Sequence, residues 1–168
     1  AAGMMCAIEA GKRGRKVLLI EHSKKIGEKI RISGGGRCNF TNLHTHPSKF
    51  ISNNPKFVKS ALSQYTQNDF IDLIKKHKIK FHEKKLGQLF CDQSAQQIID
   101  MLLLECEKAN VTIKKELIVD EVNKKDDQYT ILSEKSNFSS QSLIIATGGL
   151  SVPKIGASAF GYDVAKKF

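Results

Sequence analysis

Three consecutive glycines, Gly34-Gly35-Gly36, follow Ser33 and precede Arg37, Cys38 and Asn39. In regular structure a glycine costs about 0.5–1 kcal/mol relative to alanine through backbone entropy, so a run of three is retained where side chains would collide with something. The flanking residues add a hydroxyl, a guanidinium and an amide to the backbone N–H groups of the loop. That donor set suits a pyrophosphate or the polar edge of a flavin ring. A flexible linker would instead show Ser/Gly monotony, without the Arg, Asn and Thr that punctuate this stretch.

Two further constellations fit the same chemistry. Glu21 stands at the end of an apolar run, 18 positions beyond Gly3. In a strand–helix–strand unit that binds a dinucleotide, a glycine at the start of the helix permits close helix–strand packing. A carboxylate at the end of the following strand accepts the ribose hydroxyls. The alternative for Glu21 is a strand-end carboxylate that faces solvent. The third constellation is Ala146-Thr147-Gly148-Gly149, where a second apolar run ends in glycines.

The elements that must position these residues follow from periodicity. Met4, Met5, Ala7 and Ile8 recur at helical spacing between Gly3 and Lys12, and Gly11 and Gly14 end the run. Lys16 to Glu21 is expected as a strand, its continuous Val17-Leu18-Leu19-Ile20 core fitting a parallel strand covered on both faces. Residues 22–54 are expected to form a long functional loop with one helical turn at most before the glycines. Helices are expected near Pro55–Gln64, Asn68–Lys78 and Ser94–Ala109, with short strands at Ile79–Glu83 and Gln88–Cys91. Val111–Lys114, Leu117–Val122 and Tyr129–Leu132 suggest a small antiparallel meander turning at Lys124–Gln128, and Ser142–Ala146 a final buried strand.

Composition narrows the class. The chain has 168 residues, 40% hydrophobic and 26% charged, the balance of a soluble globular protein, and the cytoplasm is its expected location. No apolar run approaches the ~20 residues of a membrane span, and no membrane partner is expected. The net charge of +10 raises the question of nucleic acid. The lysines come in scattered pairs such as Lys75-Lys76 and Lys124-Lys125, without an aromatic-studded basic motif, so no nucleic-acid partner is expected. Cys6, Cys38, Cys91 and Cys106 form no C-x-x-C pair, and reduced thiols are expected. His44-x-His46 lacks a third ligand and reads as polar loop rather than metal site. His22, beside Glu21, reads as a loop residue that lines the adenosine site or faces solvent, Tyr162 and Asp163 as the start of the terminal helix, and no residue declares itself a catalytic acid or base.

Three stretches, KKIGEKIRISGGGRCNFTN (24–42), LGQLFCDQSAQQIIDML (86–102) and LIIATGGLSVPKIGASAFGYDVA (143–165), closely resemble bacterial NAD(P)/FAD-dependent oxidoreductases of the aminoacetone oxidase-like kind. The resemblance runs over essentially the whole chain. It implies an α/β, Rossmann-like FAD-binding domain, a parallel sheet with helices plus a small antiparallel meander. It further implies that a first strand and two fingerprint glycines precede Ala1, and that an inserted second domain and a return segment follow Phe168. The FAD contacts carried over are Gly3, Glu21, the loop Ser33, Gly34, Gly35, Gly36, Arg37, Cys38 and Asn39, then Val119 beside the adenine, and Ala146, Thr147, Gly148 and Gly149. The implied activity is hydride transfer through the flavin, with NAD(P)H as reductant and a small-molecule substrate. A non-catalytic nucleotide-binding module is the alternative, and a basic nucleic-acid binder a more distant one.

Overall fold

The computed structural model describes residues 1–152 and 156–168. It divides into two compact units: the larger comprises residues 1–28 and 102–168, the smaller residues 29–101.

The larger unit begins with helix α1 (Ala2–Lys12), which buries Met4, Ala7 and Ile8. Gly11 lets this helix approach another chain segment: a Cβ there would lie 2.3 Å from the Ala109 carbonyl oxygen. Strand β1 (Leu18–Ile20) follows and pairs in parallel with β5 (Thr112–Lys114), Leu18 opposite Thr112. These two strands form a two-stranded sheet, so Leu18 stays 37% exposed. The expected burial of this strand on both faces is not what the structure has: among the described residues β5 is its one ladder partner, Leu18 is exposed, and Leu19 and Ile20 are half-buried. Val111–Lys114 likewise belongs to this parallel pair and not to the meander.

The meander itself is β6 (Glu121–Lys125), β7 (Gln128–Leu132) and β8 (Phe138–Ser140), antiparallel throughout. Lys125 pairs with Gln128, so the turn is Asp126-Asp127 alone, with Asp126 at φ 52°. Two-residue hairpins need such left-handed backbone, which Asp tolerates better than most residues. Residues 142–146 form no strand, since no ladder joins them to another segment among the described residues; Ile144 is 63% exposed. Apolar sequence alone does not make a parallel strand without a partner for its N–H and C=O groups.

The smaller unit is built on a three-stranded antiparallel sheet ordered β2-β4-β3. Its strands are β2 (Asn39–Asn42), β3 (Phe81–Glu83) and β4 (Gln88–Cys91). Helix α2 (Glu28–Ile32) leads into a 3-10 turn over Ser33–Gly36, so the expected loop carries more order than one helical turn, including β2. Helix α3 (Lys59–Gln64) buries nothing. Helix α4 (Gln67–Lys76) starts from a capping box in which Thr66 and Asp69 bond each other's backbone N–H groups, and it buries Ile71 and Ile74. Phe40 of β2 packs edge-on against Phe81 at 5.5 Å between ring centres and tilts on Phe70 at 6.1 Å. Helix α5 (Gln96–Lys108) begins in this unit, where it buries Ile98, Ile99 and Met101, and its second half, with buried Leu102 and Cys106, belongs to the larger unit, as does helix α6 (Phe160–Lys167).

Candidate functional site

In the larger unit the start of α1, the end of β1 and the 146–149 turn supply the candidate residues. A Cβ on Gly3 would stand 3.2 Å from Leu19 Cδ1 and 3.4 Å from Ala146 Cβ, so Gly3, β1 and Ala146 are near neighbours. The first intrahelical bond of α1 runs from Met5 N–H to Ala1 O at 3.1 Å. No side chain caps the start of α1 and no acidic residue lies in its first turn.

Glu21 is held where β1 ends. Its N–H donates to Lys114 O at 2.8 Å, and its C=O accepts from Leu117 N–H at 3.2 Å. Carboxylate Oε1 accepts from Ser23 N–H at 2.9 Å and lies 3.2 Å from His22 Nδ1. Oε2 has no partner among the described residues, which leaves two lone pairs for a hydroxyl donor. Val119, half-buried, lies in the extended segment between β5 and β6.

The turn at Ala146, Thr147, Gly148 and Gly149 is largely exposed and is approached by α6. A Cβ on Gly161 would lie 2.7 Å from Thr147 Oγ1, and one on Gly149 would lie 3.0 Å from the Tyr162 hydroxyl. Gly156 comes equally close to His22, with 2.5 Å from its would-be Cβ to Nε2. Sequence reasoning missed the latter two contacts for Tyr162 and His22; glycines at 149 and 156 were the available signal, but nothing in the sequence states which side chain each must admit.

In the smaller unit the glycine triplet is not uniform. Gly34, Gly35 and Gly36 have φ of 58°, 66° and 86°, the region that favours glycine. A Cβ on Gly34 would be 2.7 Å from both Asn39 N and Phe90 Cε1, whereas Gly35 and Gly36 would meet nothing within 4 Å. Gly34 is therefore required by the protein's own packing. Gly35 and Gly36 present bare backbone to open space, the geometry a close-lying cofactor requires. The Ser33 hydroxyl donates to Ile30 O at 2.8 Å and so closes α2. Backbone bonds from Cys91 N–H to Arg37 O at 2.9 Å and from Ala95 N–H to Gly36 O at 2.7 Å fix the loop from outside. The Arg37 guanidinium is exposed and has no partner among the described residues, and Asn39 is exposed beside it in sequence.

Cys38 differs from its neighbours in that its thiol points inward, with 5% exposure. Burial pushes its pKa up, against a smaller downward pull from the Ser33 hydroxyl. Burial, then the nearby Cys38 and Asp92, push Cys91 up to about 11. Both are neutral thiols at physiological pH, so neither is a ready nucleophile. His46 Nδ1 accepts from Ser48 N–H at 3.3 Å and caps a 3-10 turn at Pro47–Lys49, and no metal-binding group of three ligands occurs among the described residues. A shallow concavity of about 470 Å³ between Lys124, Tyr129 and Leu143 includes none of the candidate residues.

A parallel strand pair with a helix packed close on it through Gly3, and a carboxylate at the strand's end, is the arrangement of a Rossmann-like nucleotide-binding domain of the α/β class. The chain belongs to the HI0933-like protein Rossmann domain family, whose model matches residues 1–168. It is 56% identical over its whole length to the ribosomal RNA dihydrouridine synthase of Escherichia coli (strain K12), covering 42% of that protein. To the enzyme of the same name from Haemophilus influenzae (strain ATCC 51907 / DSM 11121 / KW20 / Rd) it is 46% identical, covering 43%. The chain thus spans less than half the length of these curated relatives. The solved structure of NikD, an unusual amino acid oxidase essential for nikkomycin biosynthesis, shares the fold with a TM-score of 0.51 at 11% identity, over 88% of this chain and 49% of that one.

These relatives correct one expectation. Nucleic acid was excluded as a partner, yet two proteins this similar are named for acting on ribosomal RNA. The scattered lysine pairs misled because charge counts by unit, not by run: the smaller unit carries twelve Lys and Arg against five Asp and Glu, a net +7 of the chain's +10. As for membranes, no helix among the described residues is long and apolar enough to cross one.

Proposed function

We propose that the protein of which this chain forms a part is a flavin-dependent reductase that converts uridine in ribosomal RNA to dihydrouridine. The observation that carries the reading is the 56% identity, over the whole chain, to a ribosomal RNA dihydrouridine synthase. The bare backbone at Gly35 and Gly36 and the carboxylate of Glu21 at the end of β1 fit an FAD.

In this reading Glu21 accepts the adenosine ribose hydroxyls, with Val119 beside the adenine. Gly3 and the first turn of α1 face the pyrophosphate, and Gly34 to Asn39 with Ala146 to Gly149 line the remainder of the cofactor. Arg37 offers a charge-assisted bond, worth about 1.5–3 kcal/mol, to a phosphate or to the negative charge of the reduced ring. When bound and reduced by NAD(P)H, FAD would supply a hydride to one carbon of the uracil C5=C6 bond, the other carbon taking a proton from solvent or from an acid. The proposal includes a strand with two further glycines ahead of Ala1, and a second domain and return segment beyond Phe168.

Purified full-length protein loaded with FAD, given NADPH or NADH and ribosomal RNA from cells lacking the gene, tests it. Mass spectrometry of RNA digests is expected to show uridine gaining two hydrogens at a defined position. No gain with either reductant, in a preparation whose flavin is reduced normally, would overturn the RNA substrate. Oxidation of aminoacetone by that preparation would then favour the amine-oxidising chemistry of the resembling flavoproteins.

A further inference from the structure

From Lys29 to Asn68 the chain contains six Lys and Arg and not one Asp or Glu. Within that span, the segment just before α3 leaves large apolar side chains in water: Phe50 is 44% exposed, Ile51 102% and Phe57 78%. Lys49, Lys56 and Lys59 alternate with them, all exposed and none in an ion pair among the described residues.

The segment is not a loose tail. Ser52 Oγ donates to Asn54 O at 2.8 Å, and Asn54 Oδ1 accepts from Lys56 N–H at 3.2 Å. Phe57 N–H donates to Asn54 O at 3.1 Å, and Lys59 N–H to Lys56 O at 3.1 Å. A turn this well bonded fixes where the Phe57 ring and the two lysines emerge. Neither Phe50 nor Phe57 stacks on another aromatic ring among the described residues, although the unit pairs Phe40 with both Phe70 and Phe81.

We infer that residues 49–59 are an RNA-contacting surface, with Phe50 and Phe57 stacking on unpaired bases while Lys49, Lys56 and Lys59 neutralise the adjoining phosphates. The inference rests on the ribosomal RNA reading above and adds to it the place of contact. Its chemistry is that of single-stranded nucleic-acid binding, in which aromatic faces take bases without needing a particular sequence and cations track the backbone. Charge complementarity selects this occupant: forty residues without a carboxylate oppose no polyanion at any point along their length. The same composition suits an anionic membrane surface, which the test below separates.

The test uses full-length protein with its flavin, a fluorescently labelled single-stranded uridine-containing RNA, and vesicles of anionic phospholipid. Phe57→Ala is expected to weaken RNA binding by about fivefold or more, the usual loss when one stacking ring is removed. Lys56→Gln with Lys59→Gln is expected to lower the slope of log affinity against log salt by about 1.4, two phosphate contacts on a single strand. Lys135→Gln, an exposed change in the larger unit, is expected to leave both unchanged. Flavin content and the rate of flavin reduction by NADPH should match wild type in all of them, which separates lost contact from lost fold.

Wild-type RNA binding and dihydrouridine formation with no change in either 49–59 variant would overturn this inference and leave the reductase reading standing. Absence of both RNA binding and dihydrouridine in the wild type would overturn the two together. Vesicle binding that the same variants abolish, with RNA affinity untouched, would assign the surface to lipid and overturn it as well.

Discussion

The two units of this chain differ in charge and in one glycine run. In the larger unit most close glycines admit other parts of the same unit: Gly11 admits the Ala109 carbonyl, Gly161 the Thr147 hydroxyl and Gly156 the His22 ring. In the smaller unit Gly34 does the same for Phe90 and Gly87 for Asn42 and His44, but Gly35 and Gly36 meet nothing within 4 Å among the described residues. Net charge divides as +3 against +7 in the same order. The excess of unopposed cations lies in the smaller unit, while the candidate residues are shared between the two, Gly3 and Glu21 in the larger and the glycine loop in the smaller.

The largest expected effect tests that contrast inside the triplet. Gly34→Ala combines left-handed backbone with overlap on Phe90 and a backbone N, and is expected to cost about 3 kcal/mol in urea unfolding. Gly35→Ala meets no atom and is expected to cost only about 1 kcal/mol, from backbone strain alone, while releasing flavin from the full-length protein. If both variants lose the same stability, the division of labour within the triplet is wrong. Next comes Gly11→Ala, where the intruding methyl meets backbone that has little room to yield; about 2 kcal/mol is expected, read as a lowered melting temperature.

Glu21→Ala follows, with FAD affinity of the full-length protein expected to fall about tenfold, while loss of the Ser23 bond lowers its melting temperature without cofactor only slightly. Unchanged affinity would remove Glu21 from the ribose. Thr66→Ala, which opens the capping box of α4, is expected to cost about 1 kcal/mol. The smallest effect is one of pH. Hydrogen bonds from the Thr66 hydroxyl and backbone N–H hold the Asp69 carboxyl below its ordinary pKa. A depressed carboxylate contributes stability above its unfolded pKa, and that contribution is lost as pH falls through the folded value. Wild type should therefore lose slightly more stability than Thr66→Ala on acidification, a difference visible in paired melting curves.

How much of this was legible in the sequence depended on whether the cause was local. Helix α4, β4 and α5 fall where periodicity and caps put them, because their patterns of Ile71 and Ile74 or Ile98, Ile99 and Leu102 need only one buried side. Strand β2 was missed since Asn39-Phe40-Thr41-Asn42 has no strand-like alternation; pairing with β4, some fifty residues on, imposes its extension. The 142–146 run was read as a strand from its apolar residues, but a strand is defined by a partner. Of the site, the glycine loop and Glu21 were visible as types and spacings. Which glycine serves packing and which stays bare depends on Phe90, and no spacing rule connects the two.

The pairing of Leu18 with Thr112 has a consequence for how the chain folds. Everything between them, including the whole of residues 29–101, leaves the ribosome before β5 exists to receive β1. Closing so long a loop on a three-residue ladder is slow unless its interior has already condensed. The smaller unit, with the local β3–β4 pair and a self-capped helix, is therefore expected to fold first and shorten the search for the larger. Pulse-labelled hydrogen exchange would register that order as protection of Leu89 and Phe90 ahead of Leu19.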